Sequence, residues 1–213
     1  MLLQRFTDGL VLLRLPLLAA VLALSGCAST GTTSAAKSTA RTTATGDVPA
    51  QALTLFEQAA AVMASGDYED AELRFKEFLR RYPDYPGGHV NLAIIHISNG
   101  DEVAAQADLD AALALNPKYP AALNQQGMLF RRNGNFVEAE AAYLKAVTAS
   151  PDYALAHYNL GVLNELYLQR LDNALRHFEQ YQLLVGDDKQ VEKWIVDLRR
   201  RVAANQRTAS VAE

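Results

Sequence analysis

One interval governs the chain. Gly66, Gly100 and Gly134 are 34 residues apart, and Pro83, Pro117 and Pro151 keep the same step. Ala71, Ala105 and Ala139 follow it, as do Tyr85, Tyr119 and Tyr153. A sequence that repeats at 34 residues is built from stacked helix–turn–helix units, each too small to bury its own apolar face. The period predicts an all-α architecture of about four such repeats, near 52–85, 86–119, 120–153 and 154–187.

The residues within each repeat fit two packed helices. The third repeat carries Leu123, Gly127, Phe130, Gly134, Phe136, Ala139, Tyr143, Ala146 and Pro151. Gly127 and Ala139 are small where two helices approach closely, and Phe130, Phe136 and Tyr143 fill the gap between them. Pro151 stops the second helix, because its ring removes a donor and clashes with the preceding turn. Repeat one keeps Leu55, Ala59, Gly66, Tyr68, Ala71, Phe75 and Pro83, and repeat two keeps Leu92, Ala93, Gly100, Ala105, Leu109, Ala112 and Pro117. Repeat two departs with His96 at an aromatic position, and with Glu102 where repeats one and three have an aromatic ring. Repeat four carries Tyr158, Leu160 and Gly161, then slips by one residue, so that Ala174, Phe178 and Tyr181 fall late. It has neither the turn glycine nor the closing proline.

This pattern resembles the tetratricopeptide repeat family over about residues 51–186. The resemblance implies a right-handed superhelix whose first helices line a concave groove for peptide segments. Mapped by position, that groove takes Phe56 from repeat one and Val90, Asn91 and Ile94 from repeat two. Repeat three gives Asn124, Gln125, Met128 and Arg131, and repeat four gives Tyr158 and Asn159. Asn91, Gln125 and Asn159 share the 34-residue step, so they are expected to stack as a ladder of carboxamides, groups that donate and accept at once. Phe56 and Ala121 stand where the family's carboxylate clamp has lysine, which argues against that specialised function.

Beyond Gly186, residues Val191, Trp194, Ile195, Leu198 and Val202 recur at helical spacing on one face. They predict a closing helix over 187–203, with a disordered tail over 204–213.

The other end of the chain reads as an export signal. Arg5 and Arg14 precede a ten-residue apolar run, Leu15–Leu24, half the roughly 20 residues a spanning helix needs. The run closes in Leu24-Ser25-Gly26-Cys27, which resembles the lipobox of bacterial lipoproteins. That resemblance implies removal of residues 1–26, lipidation of Cys27, and membrane attachment through several acyl chains. Ala28, in place of aspartate, favours the outer membrane and a periplasmic face. Residues 27–50 form a Ser/Thr/Ala-rich linker with little to bury; its 23 residues after Cys27 span about 25–30 Å as a coil.

The remaining composition sets limits. The net charge of −4 carries no nucleic-acid footprint. Cys27 is the only cysteine, so no internal disulfide forms. No nucleophile elbow, phosphate loop or dinucleotide turn is present, and no cofactor or enzymatic activity is expected. His89 and His96 lie seven apart, a spacing open to metal. His89 and His157, however, hold equivalent positions normally filled by packing side chains, so packing is the better reading. The expected function is a lipid-anchored scaffold whose groove binds an envelope protein or peptide. It would assist a machine such as a pilus secretin or an outer-membrane complex. The segment YNLGVLNELYLQRLDNALRHFEQY is also similar to repeat proteins described as TonB-system components, and regulation of a cell-wall enzyme is a third possibility.

Overall fold

The computed structural model describes residues 49–211. The expected signal peptide, Cys27 and nearly all of the linker lie outside the described residues. Those described form nine helices and no strand. Four antiparallel pairs come first: α1 (Ala50–Ala64) with α2 (Tyr68–Arg81), and α3 (Pro86–Asn99) with α4 (Glu102–Leu115). Then come α5 (Pro120–Arg132) with α6 (Phe136–Ala149), and α7 (Ala154–Leu166) with α8 (Leu171–Val185). A ninth helix, α9 (Lys189–Val211), packs on α8.

The period works through the turns. Gly100 ends α3 with φ +80°, and Gly134 follows α5 with φ +77°, a region closed to most side chains by the Cβ. The next amides, of Asp101 and Asn135, then reach back to the carbonyls of His96 and Phe130 at 2.9 Å, which satisfies helix ends that would otherwise be bare. Asp67 and Asp101 cap the second helices by accepting from the amides of Asp70 and Ala104. Pro86 and Pro120 open α3 and α5, where a missing N–H costs nothing.

Close approach within a pair depends on small residues. A Cβ on Gly127 would stand 2.6 Å from the Tyr143 ring, and one on Gly161 would stand 2.7 Å from the Phe178 ring. The earlier pairs use alanine instead: Ala59 shares a core with Phe75, and Ala93 with Leu109. All four partners are fully buried.

Repeat four differs as its one-residue slip requires. Its turn has no glycine, and Gln169 takes the left-handed conformation at φ +57°. The Leu168 amide reaches Leu163 O and the Arg170 amide reaches Asn164 O, which absorbs the extra residue. The Gln169 side chain covers the carbonyls of Glu165 and Leu166.

The tail is the clearest departure from expectation. Helix α9 does not stop at residue 203 but continues to Val211. Val191, Ile195, Leu198 and Val202 are buried against the array, and the following Ala203, Ala204, Gln206 and Arg207 are good helix formers that let the helix propagate. Arg199 pairs with Glu179 on α8 at 2.7 Å.

The histidines are half-buried packing groups with polar partners. In repeat two, His89 Nδ1 donates to Asp108 at 2.9 Å, and His96 Nε2 lies 3.4 Å from the other carboxylate oxygen. In repeat four the corresponding partner is His177. Its Nδ1 is 3.2 Å from His157 Nδ1, while His157 Nε2 is 3.1 Å from Pro151 O. A carbonyl only accepts, so neutral His157 carries its proton on Nε2 and His177 donates through Nδ1. Burial, then the neighbouring His157 and Arg176, hold the His177 imidazole down at about 4, below its ordinary 6.5. Among the described residues, no three His, Cys, Asp or Glu side chains gather to hold a metal ion.

Two outcomes follow from this packing. Gly127→Ala pushes the Tyr143 ring out of place, and urea unfolding should show a loss of about 1–3 kcal/mol. An unchanged midpoint would mean that α5 and α6 have room to part. His177 binds a proton more readily unfolded than folded, so its contribution to stability is complete above pH 6.5 and declines as the pH falls toward 4. Melting temperatures measured across that window should fall with acid in the native chain and fall less in His177→Gln.

Candidate peptide-binding groove

First helices of successive repeats touch one another: α1 meets α3, α3 meets α5, and α5 meets α7. They form one continuous wall, and the second helices stand behind it. The predicted groove residues divide into two groups along this wall.

The first group is consumed by packing. Val90 and Asn124 are buried, at 5% and 1% exposure. Phe56 turns into its own repeat and meets Phe75 and Phe78 edge-on, with centroids 5.6 and 5.5 Å away. Tyr158 sits in an aromatic cluster with Phe178, Tyr181 and Trp194 of α9, and burial raises its phenol above the ordinary range. These four residues occupy one repeat position, which points between neighbouring helices rather than away from them.

The second group faces outward in part. Asn91, Ile94, Gln125, Met128 and Arg131 are all half-buried. Ile94, with Ile97 beside it, also packs on the repeat-two core.

The amides pair differently from the expected ladder. Asn159 Nδ2 donates to Asn124 Oδ1 at 2.9 Å, a step of 35 residues and not 34. Asn124 Nδ2 in turn faces Met128 Sδ at 3.9 Å. Asn91 donates to Gly87 O within its own helix. The Asn124–Asn159 bond is buried and links α5 to α7, where an unpaired amide would cost about 1–3 kcal/mol.

Further along the wall, the same mapping by repeat position carries two charges, Arg131 and Glu165. Glu165 is buried at 8% exposure and accepts from Arg201 Nη1 of α9 at 2.7 Å, which brings the closing helix onto α7. Glu165 stands 34 residues after Arg131, and Ile97 stands 34 before it. Across the repeats this position reads Met63, Ile97, Arg131 and Glu165, passing from apolar to charged. Asn164 is another surprise. It is 1% exposed, donates to Leu160 O at 2.9 Å, and its Oδ1 has no partner among the described residues.

Known proteins agree with this architecture. Two models described as tetratricopeptide repeat match the chain, one over residues 62–124 and the other over 103–154 and 124–188. Together they span 62–188, more than half of the 213 residues. PilF of Pseudomonas aeruginosa superposes with a TM-score of 0.63 at 22% identity, covering 73% of this chain and 72% of that one. TTC0263, a thermophilic TPR protein of Thermus thermophilus, gives 0.58 at 24% identity, covering 73% and 81%. MamA of Desulfovibrio magneticus RS-1 gives 0.55 at 19% identity, covering 76% and 90%. These likenesses are of fold. No curated protein matches the sequence closely enough to count as a relative. With the 34-residue period, the four helix pairs and the matched models in agreement, the chain belongs to the tetratricopeptide repeat family, a scaffold for protein–protein interaction.

Proposed function

We propose that the chain is a non-enzymatic, lipid-anchored scaffold of a bacterial envelope, whose groove receives a segment of another envelope protein. The observation that carries the groove is the uninterrupted wall of α1, α3, α5 and α7, with Ile94, Gln125, Met128 and Arg131 half-exposed along it. An apolar stripe that includes a thioether suits an adaptable contact, because methionine repacks around different partners. The anchor rests on the lipobox-like Leu24-Ser25-Gly26-Cys27. Ala28 favours the outer membrane, and the linker would let the array face the periplasm and reorient. Catalysis, where the pathway needs it, would come from the partner. Among the described residues no helix is long and apolar enough to cross a membrane.

Assembly of an envelope machine such as a pilus secretin is the favoured role, and the fold likeness to PilF is compatible with it. The repeat-four segment similar to TonB-system components supports the second reading, an accessory of an energy-transducing system.

Two measurements check the proposal. Cys27→Ser should leave the protein unprocessed and out of the membrane fraction, and normal fractionation would remove the anchor from the account. A photoreactive residue at Met128, on the groove wall, should crosslink one protein in cells that mass spectrometry then identifies. Glu138, exposed on α6, serves as the control. Equal crosslinking from both positions would place the interaction elsewhere. A secretin or outer-membrane component in the eluate supports the first role, and an energy transducer the second.

A further inference from the structure

Nearly every described arginine is spoken for. Arg74, Arg80, Arg81, Arg132, Arg170 and Arg199–Arg201 each pair with a carboxylate. Arg176 donates to the Asn173 side chain, and Arg207 has an interaction of its own. Among the described residues, Arg131 is the one arginine whose side chain has neither an ion pair nor a hydrogen bond. It is also half-buried, in the middle of the groove wall, where a guanidinium without an acceptor is costly to hold.

Its surroundings favour an anion. The charge acts on the phenols of both Tyr143, behind the wall, and Tyr158, on the next first helix. The Tyr143 hydroxyl is fully buried and has no partner among the described residues. The nearest acid in the repeat series, Glu165, is neutralised by Arg201 at 2.7 Å, so it does not repel an incoming negative group. On the other side, Ile97 and Ile94 make the wall apolar.

We infer that the groove recognises an Asp or Glu side chain of the bound segment, seated on Arg131, with apolar residues of that segment lying toward Ile94 and Ile97. The inference rests on the groove being the binding surface. Its chemistry is distinct from that of the family's carboxylate clamp, whose lysine positions hold Phe56 and Ala121 here. A planar guanidinium binds a carboxylate through two parallel hydrogen bonds, which gives the groove a registration point that hydrophobic contact alone lacks.

The test selects 12-residue peptides from a random display library on the purified full chain, then measures C-terminally amidated versions by fluorescence anisotropy. Amidation leaves side chains as the only carboxylates. The selected peptides should share an acidic residue. Replacing it by Asn or Gln, or making Arg131→Gln, should weaken binding about tenfold or more, the range of a charge-assisted hydrogen bond. Arg131→Glu should recover affinity for the peptide whose acid is changed to Lys, a rescue that a merely misfolded variant cannot show. Peptides that crosslink at position 128 yet bind Arg131→Gln unchanged would keep the groove and overturn the carboxylate. Peptides that crosslink at position 138 instead would overturn both, and a selection without acidic peptides overturns the inference alone.

Discussion

The gap between the two helices of a pair controls everything built upon it. In repeats three and four that gap is set by an aromatic ring lying directly on a glycine, Tyr143 on Gly127 and Phe178 on Gly161. In the first two repeats alanine takes the glycine's place, in the cores of Phe75 and Leu109. Interiors are packed to crystal density, so a methyl group at such a contact has nowhere to go. Because a large apolar side chain and a small residue recur at nearly the same interval, the first helices come out as a row in contact. The groove is a consequence of that row. No side chain in it had to be chosen for binding in order for the wall to exist.

A repeating wall must also end. Each repeat buries one face on its successor, and the last would be left bare. The final repeat meets this with a turn of different construction, in which Gln169 adopts the conformation glycine holds elsewhere. Helix α9 then closes the array. Val191, Ile195, Leu198 and Val202 provide the apolar contact, while Arg199–Glu179 and Arg201–Glu165 join it to both helices of repeat four. The Glu165 pair matters more than a fully exposed one, since its carboxylate is largely removed from water.

The fold was legible in the sequence because its signal is redundant. Turn glycines, closing prolines and core alanines all state the same period, so helix starts at 86, 120 and 154 could be placed before any coordinates. The site was legible only in outline. A period says which residues are equivalent, but it does not say which atoms meet. Asn124 and Asn159 pair across 35 residues, one more than the repeat, since adjacent first helices are offset and a carboxamide reaches diagonally. Burial of Val90 and Asn124 was hidden for the same reason: their position borders the next repeat's helix, whose presence no single repeat reveals. The extension of α9 to Val211 was missed because polar, alanine-rich ends look alike whether helical or not. His157 and His177 meet only because the one-residue slip in repeat four moves His177 into register with Asp108 of repeat two.

The positions that keep the period and the positions that break it therefore carry different information. A residue repeated at every step is accounted for by packing, as Ala71, Ala105, Ala139 and Ala174 are. Selectivity has to come from an outward position where the repeats disagree. The series Met63, Ile97, Arg131, Glu165 is such a place: it passes from apolar to basic to acidic along one wall. Its acidic member is answered by Arg201, and its basic member has no answering group among the described residues. A scaffold of equivalent units binds with no preferred register unless something marks a position along it. One unanswered guanidinium among half-buried apolar groups is enough to mark it, because sliding a bound segment by one repeat would exchange an ion pair for a desolvated charge.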